Sequence, residues 1–321
     1  MMVVDREAGT FEHRKVSDLP DYVSEGDVFI ANDTQVFPAR LRGVKEKTGA
    51  QVEVFLLREL NAKARLWDTL VDPARKVRVG NRVVFSDDLS AEVIDNTTSR
   101  GRTLRFMFEG TPDELYAAID RLGETPIPPY LRRPVEPEDR DRYQTLFAKR
   151  RGGVAAPEAG LHFTPDLMES LAGRGVEFAT VTLHPGLGTF QPVEVEDLSK
   201  HSVDSEYFCV TSHDADCVNR ALTHRERSVT ALGATVVRAV ESTLSADRTL
   251  KAGEGWTDKF IRPVHHFHVT ERLLTNFHRP RSTPLMMVAA FAGYELMREA
   301  YDVAIREEYR LFAFGDAMLI L

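Results

Sequence analysis

The sequence has little cysteine and no long apolar stretch. Its two cysteines, Cys209 and Cys217, lack the paired spacing of a zinc site, so we interpret them as ordinary thiols outside any disulfide framework. No run of about 20 apolar residues could span a bilayer, and the start of the chain does not read as a cationic, apolar export leader. These absences lead us to expect a cytoplasmic protein without membrane segments.

The common catalytic signatures are missing too. The sequence contains no glycine-rich dinucleotide loop after a strand, no phosphate-binding P-loop, no zinc-protease helix motif and no serine-hydrolase elbow. Three histidines lie together in VHHFHV, but in a strand only His266 and His268 would share a face. A metal site needs a third ligand in the right place, so we expect no bound metal.

Composition and charge set broad limits on the function. With 321 residues, 43% of them hydrophobic and 28% charged, the chain fits a soluble globular protein of one large domain or two. Its net charge of -8 argues against an indiscriminate nucleic-acid binder, because the global field repels a polyanion.

Basic residues nevertheless cluster in proline- and glycine-rich loops, where their side chains can reach a phosphate backbone. Taken alone, each cluster is more simply explained as solvated surface charge. The clusters are Arg132 with Arg133, Lys149 with Arg150 and Arg151, and Arg279 with Arg281.

Residues 45–110 follow a different pattern from the rest of the chain. Short alternating or β-branched runs, such as VEVFLL, LWDTLV and TLRFMF, are separated there by Gly, Asn, Asp and Ser, with no helix-period segment between them. This pattern is typical of a small all-β domain such as a barrel. We therefore predict a barrel-like domain inserted into a main domain that is formed by residues 1–44 and 111–321.

In the main domain strands and helices alternate, with Thr111 and Thr164 as N-caps of two of the helices. This order predicts an α/β domain with a mostly parallel sheet flanked by helices. We expect strands at 28–31, 178–183 and 228–233, and helices at 165–174, 214–225 and 236–245.

Polar residues follow several of these strands. His184, Gly186 and Gly188 come directly after one strand, and Asn276 and His278 end a later one. Ligands of such sheets bind beyond the carboxyl ends of the strands, where glycines let backbone amides approach closely. The sequence therefore predicts a ligand site at this edge of the sheet.

Arg238 and Glu241 add charge at the same edge. They lie three residues apart in the helix after the strand at 228–233, on one helical face where they can act together. The simpler interpretation is a surface ion pair worth about 0.3 to 0.5 kcal/mol, just as isolated histidines are usually structural. Their coincidence at successive strand ends favours a site.

Longer stretches point to a family. The sequence closely resembles the S-adenosylmethionine:tRNA ribosyltransferase-isomerases of queuosine biosynthesis in VAAPEAGLHFT, VTLHPGLGTFQPVEVEDLSKHSVDSEYF, GEGWTDKFI, LLTNFHRPRST, FAGYEL and YRLFAFGDAML. NDTQVFPARL and TPIPPYLRR are similar to further motifs of the same family. The resemblance extends from Asp5 to Leu319.

The resemblance implies a transferase that uses S-adenosylmethionine as a ribosyl donor. Members of this family move and isomerise the ribosyl group onto 7-aminomethyl-7-deazaguanine at the wobble position of tRNA, which gives epoxyqueuosine and releases adenine and methionine. It also implies an α/β domain with an inserted β-barrel, no metal or further cofactor, and tRNA and S-adenosylmethionine as partners. We expect a monomer.

The reaction needs a base for a C5′ proton made acidic by the sulfonium, and a group that helps adenine to leave. Histidine or a carboxylate can do either task, and we expect Glu206 or His184 to be the base. The resemblance also implies catalytic His162 and His278, with His201 as a further candidate. It implies substrate-binding Asp33, Arg40, Gly160, Gly186, Gly188, Thr189, Arg238, Glu241, Asn276 and Asp316, and tRNA-binding Arg132, Arg133, Lys149, Arg150, Arg151 and Arg281.

The small residues of VAAPEAGLHFT raise a separate question. Ala155, Ala156, Ala159 and Gly160 can leave space for a nucleoside and for tRNA backbone, or they can pack a helix closely on the sheet. On the first hypothesis, replacing Gly160 with Val abolishes turnover and leaves melting near normal. On the second hypothesis the same replacement destabilises the protein.

Two departures from the family pattern keep other functions open. Glu158 stands where Thr is usual, and family members usually carry a further segment before the position of Met1. These features favour a tRNA-binding paralogue that has lost turnover. The acidic overall charge favours an S-adenosylmethionine-dependent enzyme that acts on a smaller amine acceptor, such as the free base.

Overall fold

The computed structural model describes residues 1–186 and 192–321. Two compact units divide the chain: the first contains Met1–Gln35 and Gln144–Leu321, and the second contains Val36–Tyr143. None of the helices in the described ranges has the length and apolar character needed to cross a membrane.

The strands of the described residues are numbered in chain order. They are β1 (Met2–Asp5), β2 (Thr10–His13), β3 (Val28–Asn32), β4 (Thr34–Val36), β5 (Arg40–Lys45), β6 (Gln51–Asn61), β7 (Leu66–Asp72), β8 (Arg82–Val84), β9 (Ser90–Asn96), β10 (Gly101–Met107), β11 (Arg150–Gly153), β12 (Glu177–Leu183), β13 (Glu206–Val210), β14 (Val229–Leu232), β15 (Gly253–Thr257), β16 (Arg272–Asn276) and β17 (Ala317–Ile320).

The α-helices are numbered in the same way. They are α1 (Pro112–Leu122), α2 (Asp139–Arg142), α3 (Pro165–Gly173), α4 (Ser212–Leu222), α5 (Ala234–Ser242), α6 (Thr283–Ala292) and α7 (Tyr294–Arg306). The predicted caps are confirmed, since Thr111 accepts from the amide of Glu114 and Thr164 from that of Leu167. Helix α4 begins earlier than predicted because Thr211 caps it, accepting from the amide of Asp214.

The first unit is built on a sheet of order β15-β13-β12-β3-β14-β16-β17-β1-β2. The predicted parallel pairing holds for the central strands β12, β3, β14 and β16. The flanking pairs β13 with β12, β15 with β13 and β17 with β16 are antiparallel. The chain between β16 and β17 nevertheless contains helices α6 and α7, and that between β13 and β15 contains α4, β14 and α5. The α/β fold class is confirmed, with a mixed sheet.

Both faces of the central sheet are covered. Along β3, Val28 and Ile30 join one apolar cluster, whereas Phe29 and Ala31 join another on the opposite face. Side chains of α4 to α7 complete the first cluster, and α3 contributes Leu167 to the second. Burial on both faces explains why the sequence of β3 is continuously apolar rather than alternating.

The second unit contains the predicted barrel. Strands β10-β7-β6-β5-β8-β9 close around Leu41, Val54, Leu56 and Leu104, all fully buried. The unit extends beyond the predicted insertion of residues 45–110 at both ends. Strand β5 pairs with both β6 and β8 and belongs to the barrel, and α1 and α2 also lie in this unit.

Candidate active site

The sheet order brings several predicted residues to one edge. His184 follows β12, Asp33 follows β3, and Asn276 ends β16, so all three lie at the carboxyl ends of parallel strands. Glu206 begins the antiparallel strand β13, whose start therefore lies at the same edge as the end of β12. We call this the carboxyl edge of the sheet.

His184 is held on two sides. Its Nδ1 atom lies 2.8 Å from Oγ1 of Thr34, and its ring stacks on Tyr207 with centroids 5.6 Å apart. Burial, together with a smaller effect of the positive charge of Arg150, lowers the pKa of His184 to about 4. The imidazole is therefore neutral at neutral pH and has a lone pair available to accept a proton.

Gly152 of β11 lies against the other ring nitrogen of His184. A Cβ atom on residue 152 would approach Nε2 of the imidazole to 2.5 Å, and the backbone φ of +154° is itself unfavourable for a side chain. Glycine at this position therefore lets β11 pack closely against the imidazole, where any side chain on residue 152 would clash with the ring.

Asp33 and Arg150 form a partly buried charged pair next to Thr34. Oδ1 of Asp33 accepts from Oγ1 of Thr182 at 2.6 Å, and Nε of Arg150 lies 3.8 Å from Oδ2. Burial raises the pKa of Asp33, although the hydrogen bond from Thr182 and the charge of Arg150 oppose this shift. The pair places one anion and one cation beside the histidine.

Glu206 forms a buried ion pair with Arg238. Oε2 of Glu206 accepts from Nη1 of Arg238, and Oε1 accepts from the amide of Gly186 at 2.6 Å. Arg238 also donates to the carbonyls of Lys259 and Thr257. Both carboxylate oxygens are thus engaged, and the glycine amide predicted to face a ligand is turned towards Glu206.

Glu241 and Arg238 have different hydrogen-bond partners. Its Oε1 atom accepts from the amides of His268 and Val269, at 3.0 and 3.1 Å. Its Oε2 atom lies 3.6 Å from Nε2 of His265 and 3.5 Å from Nδ1 of His268. Among the described residues no group of His, Cys, Asp and Glu has the arrangement to hold a metal ion. Glu241 instead fixes the loop that precedes β16.

His162 is paired with Asn276. Nδ2 of Asn276 donates to the carbonyl of Phe312 at 2.9 Å, so its Oδ1 atom faces Nε2 of His162 at 3.1 Å. An amide oxygen only accepts, and the imidazole therefore carries its proton on Nε2. Burial lowers the pKa of His162. Asp316 accepts from the amide of Arg310 at 2.7 Å and holds the adjoining turn.

His278 follows β16 and is a further neutral imidazole of the site. Its Nε2 atom lies 2.8 Å from Oγ1 of Thr275, and its amide donates to the hydroxyl of Tyr301 at 2.8 Å. Burial lowers the pKa of His278 to about 4. At neutral pH the imidazole of His278 is therefore uncharged, with a hydrogen on only one of its two ring nitrogens.

Gly160 does not face open space. A Cβ atom there would lie 2.9 Å from Cγ2 of Thr145, and Phe147 also lies nearby. Ala159 packs against the position of Gly233, where an added Cβ would come within 3.3 Å of it. These contacts favour the second hypothesis, in which the small residues allow close packing. Gly188 and Thr189, the remaining predicted glycine-loop residues, lie outside the described residues.

The predicted basic residues differ in their surroundings. Lys149 and Arg281 are exposed in the first unit, and Arg150 lies beside Asp33 as described above. In the second unit Arg133 forms a bidentate pair with the buried carboxylate of Asp139, with both N–O distances at 2.6 Å.

Arginines at three further predicted positions also differ in their surroundings. Arg132, in the second unit, is exposed. Arg151 in β11 is partly buried. Arg40 lies in β5 of the barrel, with its guanidinium 5.5 Å from the ring centroid of Phe55.

A family model described as queuosine biosynthesis protein matches residues 1–320. The chain belongs to this family. The resemblance predicted from its motifs is thereby confirmed. It is 58% identical over 323 residues to the S-adenosylmethionine:tRNA ribosyltransferase-isomerase of Flavobacterium psychrophilum, and 56% identical over 322 residues to that of Cytophaga hutchinsonii. Each alignment covers 100% of this chain and 92% of the relative.

A solved structure is similar as well. The crystal structure of S-adenosylmethionine tRNA ribosyltransferase from Thermotoga maritima matches 100% of this chain and 91% of that chain, with 32% identity and a TM-score of 0.52. The predicted combination of an α/β domain and a β-barrel agrees with this match.

Some residues of this queuosine biosynthesis protein were missed by sequence reasoning. Thr34 and Tyr207 hold the imidazole of His184, and Thr182 holds Asp33. Thr34 lies in NDTQVFPARL and Tyr207 in DSEYF, so both stand in motifs that carry the resemblance. A further signal was available for Thr182, a hydroxyl between the apolar residues Val181 and Leu183 at the end of β12.

Proposed function

We propose that this chain is an S-adenosylmethionine:tRNA ribosyltransferase-isomerase of queuosine biosynthesis. It moves the ribosyl group of S-adenosylmethionine onto 7-aminomethyl-7-deazaguanine at the wobble position of tRNA, forms epoxyqueuosine, and releases adenine and methionine. Relatives that align over the whole chain bear this name. The structural observation that carries the proposal is the neutral, buried imidazole of His184 at the carboxyl edge.

His184 is our choice for the base that removes the C5′ proton. Its low pKa keeps the imidazole neutral at neutral pH. In the proposed tautomer Nδ1 donates its hydrogen to Oγ1 of Thr34, so Nε2 carries the lone pair that accepts the proton. Glu206 suits this role less well, because Arg238 and the amide of Gly186 occupy both of its oxygens. We assign Glu206 and Arg238 to positioning.

Asp33 and Arg150 would then set the electrostatics around the base. The sulfonium of the donor and the aminomethyl group of the acceptor are both cationic, and a carboxylate attracts them. Oδ2 of Asp33 lies 3.8 Å from Nε of Arg150, which is beyond hydrogen-bonding distance. This oxygen is therefore our candidate for contact with a cationic substrate group.

His162 and His278 are proposed to assist adenine as neutral hydrogen-bonding groups. Because burial lowers the pKa of both imidazoles, neither holds an extra proton to give to a leaving group. The other proposed substrate-binding residues are Arg40, Gly186, Gly188, Thr189, Asn276 and Asp316.

The partners follow from this reaction. S-adenosylmethionine is a substrate, tRNA is the acceptor, and the reaction as proposed uses no metal or further cofactor. We place the enzyme in the cytoplasm, where its tRNA acceptor occurs, and expect it to act as a monomer.

Adenine release tests the proposal against its rivals. The purified chain is given S-adenosylmethionine with tRNA carrying 7-aminomethyl-7-deazaguanine, with unmodified tRNA, or with the free base. We expect adenine only with the modified tRNA, at a rate that falls steeply with salt because phosphate contacts release counterions. Salt-insensitive release with the free base would favour the small-acceptor enzyme. Binding of tRNA without any adenine release would favour the paralogue that has lost turnover.

A further inference from the structure

The barrel unit pairs most of its exposed arginines with carboxylates. Arg105 lies 2.8 Å from Glu92, Arg121 lies 2.9 Å from Asp88, and a longer pair joins Arg58 to Asp68 at 3.5 Å. The net electrostatic potential near such a pair is small, because each cation has an anion within a few ångströms.

One face of the barrel lacks such pairing. Lys45, Arg75, Lys76 and Arg78 line a single open cleft, which we call the barrel cleft, and none of them forms a salt bridge with any residue in the part of the chain that the structure describes. The neighbouring carboxylates are taken by other arginines: Glu46 by Arg82 at 3.3 Å, and Asp72 by Arg100 at 3.9 Å.

The cations of the barrel cleft stand on a fixed backbone. Nζ of Lys45 donates to the carbonyl of Lys76 at 3.0 Å, which ties β5 to the turn after β7. From inside the barrel, Arg102 donates to the carbonyls of Val77 at 2.9 Å and Ala74 at 2.8 Å. The segment that presents three cations is thus held from both sides.

Arg102 adds a positive charge beneath the cleft. Its side chain is buried, with the residue only 6% exposed, and the hydrogen bonds that the structure gives it end on backbone carbonyls. A buried cation without a carboxylate partner costs free energy. Together with the unpaired cations of the cleft, Arg102 makes the electrostatic potential at this face positive, and such a potential attracts anions.

We propose that the barrel cleft binds the phosphate backbone of the RNA substrate. This inference rests on the proposed function, since it takes tRNA to be the acceptor. The cleft is lined by Thr48, Ala50 and Asn81 besides its cations, with no aromatic side chain on which a base could stack. The contacts therefore hold the backbone without reading sequence, and each neutralised phosphate contributes to the salt dependence of binding.

Two triple variants test the inference with equal changes of charge. Arg75→Gln/Lys76→Gln/Arg78→Gln removes three cations from the cleft, and Arg58→Gln/Arg105→Gln/Arg121→Gln removes three paired cations from other positions of the same unit. The affinity of the full chain for tRNA is measured by filter binding from about 0.05 to about 0.3 M salt, the range over which phosphate contacts weaken. The melting temperature and the KM for S-adenosylmethionine are measured on the same variants.

The cleft variant is expected to bind tRNA about tenfold more weakly at ~0.15 M salt, and its slope of log affinity against log salt should be shallower by about 2 to 3. The control variant should keep both values near those of the unmodified chain, and melting and the KM for S-adenosylmethionine should change equally little in both. Equal losses of tRNA affinity in the two variants would overturn the inference. The inference would also be overturned if the unmodified chain bound anionic lipid vesicles, the cleft variant did not, and both bound tRNA with equal affinity.

The binding readout separates this inference from the proposed function. If the unmodified chain binds tRNA but releases no adenine, the proposed function fails, while the comparison of the two variants still decides whether the barrel cleft holds RNA.

Discussion

Nδ1 of His184 lies 2.8 Å from Oγ1 of Thr34, and this contact joins the loop after β12 to the residue that follows Asp33. The hydroxyl contacts one ring nitrogen, Tyr207 stacks on the ring, and Gly152 lets β11 pack closely against it. The imidazole is therefore oriented before any substrate arrives, which is how a scaffold prepares a base for proton removal.

Thr34→Val tests this orientation. Valine keeps the shape of the side chain but cannot hydrogen-bond the imidazole, and one such bond is worth about 0.5 to 1.5 kcal/mol. We expect kcat for adenine release to fall by up to about tenfold, with the KM for S-adenosylmethionine little changed. Steady-state kinetics decide this, and Thr34→Ser, which restores the hydroxyl, should recover most of the rate. Failure of serine to restore the rate would argue against the hydrogen bond as the cause.

Gly160→Val tests the packing of the small-residue segment. The new side chain would meet Cγ2 of Thr145, and overpacking of this kind costs about 1 to 3 kcal/mol. Urea unfolding should show this loss. Gly173→Ala is the matched control, because no atom lies within 4 Å of an added Cβ there, and its stability should be equal or slightly higher. Normal stability of Gly160→Val would revive the access hypothesis.

The Glu206–Arg238 pair should be strongly coupled. Arg238→Met leaves a buried carboxylate without its cation, and removal of one partner from a buried pair costs about 3 to 5 kcal/mol. Adding Glu206→Gln removes the stranded charge while its amide oxygen can still accept from Gly186. The double variant should therefore be more stable than Arg238→Met alone in urea unfolding. Simple additivity of the two single losses would contradict a direct pair.

Stability should fall in mild acid because of His184 and His278. Burial lowers the pKa of each to about 4 in the folded chain, from 6.5 in the unfolded chain. Between pH 6.5 and pH 4 the unfolded state therefore binds protons that the folded state does not, and stability decreases as pH falls through this window. Above it the contribution of both groups to stability is fully present.

The slope for one such histidine approaches about 1.4 kcal/mol per pH unit. His278→Gln keeps a hydrogen-bonding atom near the place of Nε2 but removes the titration. Urea unfolding at several pH values across this window should give a shallower dependence for the variant by about that amount. An unchanged slope would mean that His278 titrates normally in the folded protein.

Local sequence rules predicted the edge of the sheet well. Apolar runs that end in polar residues marked His184 and Asn276, and the alternation of strands and helices implied that such ends meet. Thr111 and Thr164 were recognisable as caps because an N-cap depends on residues only three positions away.

Long-range contacts were not predictable in this way. Glu206 and Arg238 are far apart in the chain, and only the antiparallel placement of β13 beside β12 brings the glutamate to the carboxyl edge. The packing of Gly160 depends on Thr145, a residue whose position is set by tertiary structure. In the barrel, the buried Arg102 directly precedes the alternating run TLRFMF. Nothing in the sequence distinguishes it from an exposed arginine of a strand.

The central claim is that His184 removes the proton which starts ribosyl transfer. The most direct test is single-turnover adenine release from S-adenosylmethionine with modified tRNA, comparing the unmodified chain with His184→Asn, whose amide can still hydrogen-bond Thr34. We predict a rate loss of about 10² to 10⁴, the usual contribution of a general base, with tRNA affinity unchanged and a cooperative urea unfolding transition retained. A variant that releases adenine within a few-fold of the original rate would contradict the claim.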